Sequence, residues 1–351
     1  LPQAPKKAKT QAHGIASLPL PHTTPPMEAI LEDSLPEDGG WQFEPKWDGF
    51  RCLAFKAGAE VDLRAKSGKP LGRYFPEVVL GLRALPADDF VIDGELAIPQ
   101  GDGLSFGALQ MRLHPAESRI RKLSVETPAV FILFDILVAQ GGQLLDQPLE
   151  ARRRQLEAFY QAADSPALLR LSPYTLSRRE AKGWLDKAGG AIDGVVAKQL
   201  QAPYQPGERA MIKVKCLRTA DCVVGGFRYG TDSDQVGSLL LGLYNDGGLL
   251  DHVGFTSTIA RADRPALTRR LEALIEPPGF TGNAPGGPSR WSTERSAEWQ
   301  PLRPELVVEV RFDHVSDSRF RHGTKLLRWR PDKAPRQCTF EQIAPRRGAA
   351  S

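Results

Sequence analysis

Apolar residues alternate with polar ones along several short stretches of the chain, the period-two spacing of half-buried strands. Phe50 to Lys56 and Val61 to Lys66 read as two strands joined by a short turn around Gly58. Trp41 to Phe43, Phe90 to Ile98, Ala191 to Lys198 and Met211 to Lys215 are further candidates, and Ala129 to Val138, nearly all apolar, reads as a central strand. A helical period takes over in Glu150 to Ala163, where Leu156, Phe159, Tyr160 and Ala163 share one side. Ser177 and Glu180 have the spacing of a capping box at the start of a second helix, which Gly189 is placed to end.

Beyond Cys216 the texture changes to short strands: Cys222 to Tyr229, Ser238 to Tyr244, Leu249 to Thr256, Leu306 to Phe312 and Lys325 to Arg330. One helix interrupts them, Asp263 to Ile275, with Asp263 as its N-cap and Leu267, Leu271 and Leu274 as its buried stripe. Pro277 to Ser292 is rich in Gly and Pro and reads as a loop. Five strands with an inserted helix fit a small barrel of the OB type. The pattern therefore predicts an α+β chain. A domain of antiparallel sheets with helices spans 26–216, an OB-fold β-barrel domain spans 217–345, and 1–25 and 346–351 are flexible tails. Cys216 to Asp221 is the expected hinge.

The chain has 351 residues with 41% apolar and 25% charged, which excludes a wholly disordered protein. No apolar run reaches the ~18 residues of a membrane span, so no membrane partner is expected. The four cysteines (Cys52, Cys216, Cys222 and Cys338) form no CxxC pair, which points to a reducing, cytoplasmic setting. Net charge is only +4, but from Arg319 to Arg336 seven basic residues face Asp332 alone, as a polyanion-binding segment would require.

Candidate chemistry begins at Glu44-Pro45-Lys46-Trp47-Asp48-Gly49-Phe50-Arg51. It continues with Asp93-Gly94-Glu95 and Phe131-Ile132-Leu133-Phe134-Asp135, acids set inside apolar strands where each needs a cation or donors. Asp193-Gly194-Val195-Val196-Ala197-Lys198 and Met211-Ile212-Lys213-Val214-Lys215 add strand-borne cations, and Arg330-Pro331-Asp332-Lys333 closes the series. Converging Lys and Arg bind phosphates, acids among them hold Mg²⁺ or Mn²⁺, and a lysine crowded by cations becomes a nucleophile. Together these describe nucleotidyl transfer through a phosphoramidate. No G-x-x-x-x-G-K-[ST] loop is present to support a P-loop NTPase.

These six motifs, in this order, resemble the ATP-dependent DNA ligases of the covalent nucleotidyltransferase superfamily, over about residues 26–345. The short N-terminus and the ending Gln337-Cys338-Thr339-Phe340-Glu341-Gln342 are most similar to the compact bacterial ligase C type. The resemblance implies that 26–216 is a nucleotidyltransferase (adenylation) domain. Lys46 would attack the ATP α-phosphorus and carry AMP, Glu44 would meet the adenine edge, and Phe134 would stack on the base. Arg51 would hold the ribose side and later the DNA 5′-phosphate. Glu95 would bind the ribose and, with Asp193, a metal. Lys213 and Lys215 would act on the α-phosphate as catalytic residues beside Lys46, and Lys198 would join the nucleotide-binding set. Arg330 and Lys333 would orient pyrophosphate.

Arg51, Lys66, Arg319, Arg321, Lys325 and Arg328 would bind DNA. The implied partners are ATP and nicked duplex DNA, with other repair proteins as helpers, for a monomer acting at the bacterial nucleoid. Three positions depart from the family pattern. Asp193 stands where Glu is usual, Lys66 where an Arg is frequent, and Met211 where an aromatic is frequent. An RNA ligase or another covalent nucleotidyltransferase shares the lysine motif, and a non-catalytic OB-type nucleic-acid-binding protein shares the barrel.

Overall fold

A computed structural model of the chain describes residues 14–101, 103–187, 192–286, 298–316 and 318–344. The chain divides after Lys215 into two compact units. In the first, the strands are β1 Ala29–Leu31, β2 Trp41–Trp47, β3 Phe50–Ala57, β4 Glu60–Ala65, β5 Asp89–Ala97, β6 Val130–Ala139, β7 Leu169–Leu171, β8 Ile192–Gln199 and β9 Met211–Lys215. One sheet runs β1–β9–β8–β2 and the other β7–β6–β5–β3–β4. Pairing is antiparallel except where β1 joins β9 and β7 joins β6, both parallel.

The period-two pattern gives each sheet two different faces. Leu53, Phe55, Val91 and Leu137 of the larger sheet pack with Met27, Tyr204 and Met211 into a core that runs to the smaller sheet. The opposite face, with Cys52, Ala54, Ile92 and Leu133, is covered by Val78 and Leu82 of helix Pro76–Ala84 and by Leu156 of helix Leu149–Ala163. Behind the smaller sheet, Phe43, Val195, Ala197 and Val214 pack on Ala181, Trp184 and Leu185 of helix Arg178–Lys187. The residues between these, including Glu44, Lys46, Val196 and Lys198, are therefore presented to the space between the sheets.

Two bulges modify that alternation. Ile192 pairs with Trp47 and Gly194 with Lys46, so Asp193 is an extra residue in β8. Leu133 pairs with Gly94 and Asp135 with Asp93, so Phe134 is the extra residue in β6. At Gly194 the backbone lies so close to β9 that a Cβ would collide with the Val214 carbonyl.

The second unit is built on a six-stranded antiparallel sheet. Its main strands are β10 Arg218–Tyr229, β11 Val236–Tyr244, β12 Leu250–Thr256, β13 Val307–Phe312 and β14 Lys325–Trp329, in the order β12–β11–β10–β13–β14, and the short strand Gln300–Pro301 pairs with β10. The sheet's edges meet where Thr324 N–H donates to the Phe255 carbonyl at 3.0 Å, curling it into the OB-type barrel. Helix Arg264–Glu272 buries Leu267, Thr268 and Leu271 against it. The four cysteines are free thiols, and no described helix is long and apolar enough to cross a membrane.

Several expectations need correction. Residues 14–25 are not a tail: Leu18 and Leu20 are buried beside Met27, and Ile15 N–H donates to Glu60 at 2.9 Å. Residues 1–13, Gly189 and the later part of Pro277 to Ser292 lie outside the described residues. The expected hinge, Cys216 to Asp221, overlaps a strand, since Arg218 to Asp221 pair with β13, Val307–Phe312. Asp263 makes no side-chain cap bond, since its own backbone is helical (φ −86°, ψ −18°). Only half of the capping box forms. Glu180 N–H donates to Ser177 Oγ at 3.3 Å, but the Glu180 carboxylate takes its bond from the Thr175 hydroxyl. Helices Pro76–Ala84, Phe106–Met111 and Glu117–Glu126 are additional to the predicted elements.

Candidate active site

A cavity of about 260 Å³ opens between the two sheets of the first unit, just below the usual range for ligand sites. Glu44, Lys46, Arg51, Lys66, Glu95, Phe134, Lys198 and Lys213 all contribute to its wall. Eight residues read from separated motifs thus converge on one space. Each comes from a strand or from a strand's end.

At one end sits Phe134, which shares the strand face of Ile132 opposite Glu95. The Arg51 guanidinium lies 4.6 Å and the Lys198 ammonium 4.9 Å from its ring centroid. Lys198 is buried and ion-paired with the buried Glu44 at 2.8 Å. Arg51 grips Asp93 with a two-pronged fork, both N···O distances 2.5 Å. Tyr204 donates to the same carboxylate at 2.6 Å and accepts from Met27 N–H at 2.9 Å. The buried acid of the Asp93-Gly94-Glu95 motif is thereby satisfied, and Arg51 is held against the Phe134 ring. Asp135 does not belong to this set: it pairs with the buried Arg152 at 2.9 and 3.0 Å, away from the cavity wall.

The other end is crowded with cations. Lys46 Nζ donates to Asp193 Oδ2 at 2.7 Å, and Lys215 Nζ lies 3.5 Å from the same oxygen. Lys46 is therefore ion-paired in this state. Lys213 has its pKa lowered by burial and by the charges of Lys46, Lys66 and Lys215. Lys66 is bound to Glu28 at 2.9 Å, which holds the Glu28 carboxyl below its usual value. Glu95, half-buried, is pushed up to about 7 by desolvation, against the pull of Arg51 and Lys46. Asp193 Oδ1 is buried with no hydrogen-bond partner among the described residues, which suits an oxygen that ligates a cation. No group of three or more acids, His or Cys with metal-site geometry occurs among the described residues. Asp193 and Glu95 thus suit a hard cation that takes its other ligands from phosphates and water.

The remaining predicted residues belong to the second unit. Arg330 pairs with Asp221 at 2.7 Å and Asp332 at 2.9 Å, and Lys333 lies 3.5 Å from Asp221. Arg319 donates to His252 Nδ1 at 2.7 Å, Arg328 binds Glu309 at 2.6 Å, Lys325 is exposed on the edge strand β14, and Arg321 is half-buried. Sequence reasoning missed Gln42, Glu28, Met27 and Tyr204. Gln42 was recoverable, since it stands two residues before Glu44 on the same strand face. Tyr204 lies in a loop and carries no local signal.

Two family models match the chain, one described as the ATP dependent DNA ligase domain over residues 21–215 and one as the ATP dependent DNA ligase C terminal region over residues 232–333. DNA ligase C2 of Mycolicibacterium smegmatis is 43% identical over 336 residues, covering 91% of this chain and 94% of that protein. DNA ligase C of Mycobacterium tuberculosis is 41% identical over 342 residues, covering 93% and 95%. Among solved structures, the ligase domain from M. tuberculosis LigD aligns with a TM-score of 0.50 at 27% identity, over 91% of this chain and 98% of that one.

Proposed function

Because the chain belongs to the ATP-dependent DNA ligase family, we propose that its pocket loads AMP onto Lys46 and spends it to seal nicks between a 5′-phosphate and an adjacent 3′-OH during bacterial DNA repair. The observation that carries this reading is the position of the Lys46 amine. It stands in the cavity wall on a strand, bonded to Asp193 and beside Lys213 and Lys215, with an aromatic ring and a buried carboxylate at the other end.

Attack on the α-phosphorus requires the free amine. Asp193 Oδ2, already accepting from Nζ at 2.7 Å, is placed to take the proton. Nζ then forms the N–P bond, pyrophosphate leaves with the P–O electron pair, and Lys213 and Lys215 stabilise the charge on the α-phosphate. In the second step AMP passes from Lys46 to the DNA 5′-phosphate, and in the third the 3′-OH displaces AMP.

Asp193 and Glu95 are the residues that would hold Mg²⁺ or Mn²⁺, which would supply Lewis-acid polarisation of a phosphate oxygen. Arg51 exchanges Asp93 for the ribose and then the DNA phosphate, while Arg330 and Lys333 exchange Asp221 for pyrophosphate, turning on the Cys216–Leu217 link. Lys66, Arg319, Arg321, Lys325 and Arg328 contact the duplex backbone. The protein acts as a monomer on nucleoid DNA in the cytoplasm.

Nick sealing tests this directly. With ATP and Mg²⁺ or Mn²⁺, nicked duplex DNA is joined, GTP and NAD do not replace ATP, and Lys46→Ala joins nothing. Joining confined to RNA ends, or joining by the Lys46→Ala protein, contradicts the proposal.

A further inference from the structure

Glu44 is 2% exposed, Gln42 1% and Lys198 5%, so a carboxylate, an amide and an ammonium are enclosed together at the base end of the cavity. Their contacts are one-sided. Gln42 Nε2 donates to Glu44 Oε1 at 2.8 Å, and Lys198 Nζ is 2.8 Å from the same Oε1. A carboxylate only accepts, so the amide must turn its nitrogen toward it. The register explains the grouping: Lys198 is directly opposite Gln42 across β8 and β2, and Val196, which has no polar atom in its side chain, is opposite Glu44. Lys198 also lies 3.4 Å from the Phe134 carbonyl oxygen, which ties the carboxylate to the ring.

We infer that Gln42 is a positioning residue that sets the enzyme's choice of purine. The inference rests on the proposed function and deepens it. With two contacts gathered on Oε1, the carboxylate plane is fixed and Oε2 remains for the nucleotide. That oxygen is a pure acceptor. It complements the 6-amino group of adenine, a donor, and opposes the 6-oxo group of guanine, another acceptor. A site whose buried polar group is matched by one base and repelled by the other discriminates more strongly than an apolar wall. Without the Gln42 amide, Oε1 keeps only the ammonium at the end of a flexible stem. The carboxylate plane is then free to turn, and the direction of Oε2 is lost.

The test compares wild type, Gln42→Met and Gln42→Ala in covalent labelling of Lys46 by α-labelled ATP or GTP, with nucleotide affinity and plateau rate measured separately. Methionine keeps the length and removes the donor, while alanine leaves space for water to reach Oε1. Gln42→Met is expected to lower the ATP-over-GTP ratio roughly tenfold through weaker ATP binding, with the plateau rate changed less than about twofold, and Gln42→Ala to lose less. A ratio kept within about twofold in Gln42→Met overturns the inference. So does a fall in plateau rate at unchanged affinity, or failure of both variants to fold, each of which marks Gln42 as structural. Absence of label on the wild type from ATP defeats the proposed function itself and takes this inference with it.

Discussion

The charged groups of the two units are used in opposite ways. In the first unit they are paired at short range around a cavity, and Glu44, Asp93, Asp193 and Lys198 are all buried. In the second, Arg319, Lys325 and Arg328 are exposed, although Arg319 also reaches His252 and Arg328 also reaches Glu309. Burying an ion pair costs desolvation that its attraction roughly offsets, so the pocket's pairs are poor stabilisers and good positioners. Exposed cations each contribute little to folding. Collectively they release counterions when a polyanion binds. On the proposed function, the first unit supplies chemistry at fixed atoms and the second binding with little regard to sequence.

The sharpest way to break that contrast is Asp193→Ala. It removes the acceptor for Lys46 and one proposed metal ligand, so lysine adenylation should slow on the order of 10²-fold while duplex affinity stays near wild type. Equal losses in both would make Asp193 structural. The mirror experiment replaces Arg319 and Lys325 with alanine. Duplex affinity should fall several-fold, and the slope of log affinity against log salt should flatten by ~0.9 for each phosphate contact removed, with Lys46 labelling unchanged. An unchanged slope would remove these two residues from the DNA surface.

The smallest expected effect concerns a buried group in the second unit. Burial, then the charges of Arg319 and Arg228, depress His252 to about 3. The unfolded chain binds a proton there below about pH 6.5 and the folded one does not, so stability should fall as pH drops from about 6.5 toward 3. His252→Gln should flatten that dependence, at steepest about 1.4 kcal/mol per pH unit, in thermal or urea unfolding followed across that range. A slope identical to wild type would mean that His252 is protonated in the fold.

Much of this was legible in the chain. Period-two runs located β3, β4, β5, β8 and β9, an almost wholly apolar run located β6, and the spacing of Glu44, Lys46 and Arg51 identified groups that do share one cavity wall. What strand parity alone could not supply were the bulges. Strict alternation would put Asp193 on the face of Val195 and Ala197, away from Lys46, yet as the extra residue of its bulge it meets the Lys46 amine at 2.7 Å. Asp135 shows the converse error. Its burial inside an apolar strand resembled chemistry and proved to be a structural pair with Arg152, seventeen residues away on a helix. Leu18 and Leu20 were hidden by a Pro- and Lys-rich flank, although their burial against Met27 is what holds the segment in the core. Tyr204 could not be found from local pattern, because its link to Asp93 spans 111 residues.

Mass spectrometry of the protein after incubation with ATP and a divalent cation, before any DNA is added, is the most direct test of the central claim. One adenylyl group should be gained, it should map to the side-chain nitrogen of Lys46, and subsequent addition of a nicked duplex should discharge it. An unmodified chain, or an adenylyl group carried by any other residue, would contradict the account.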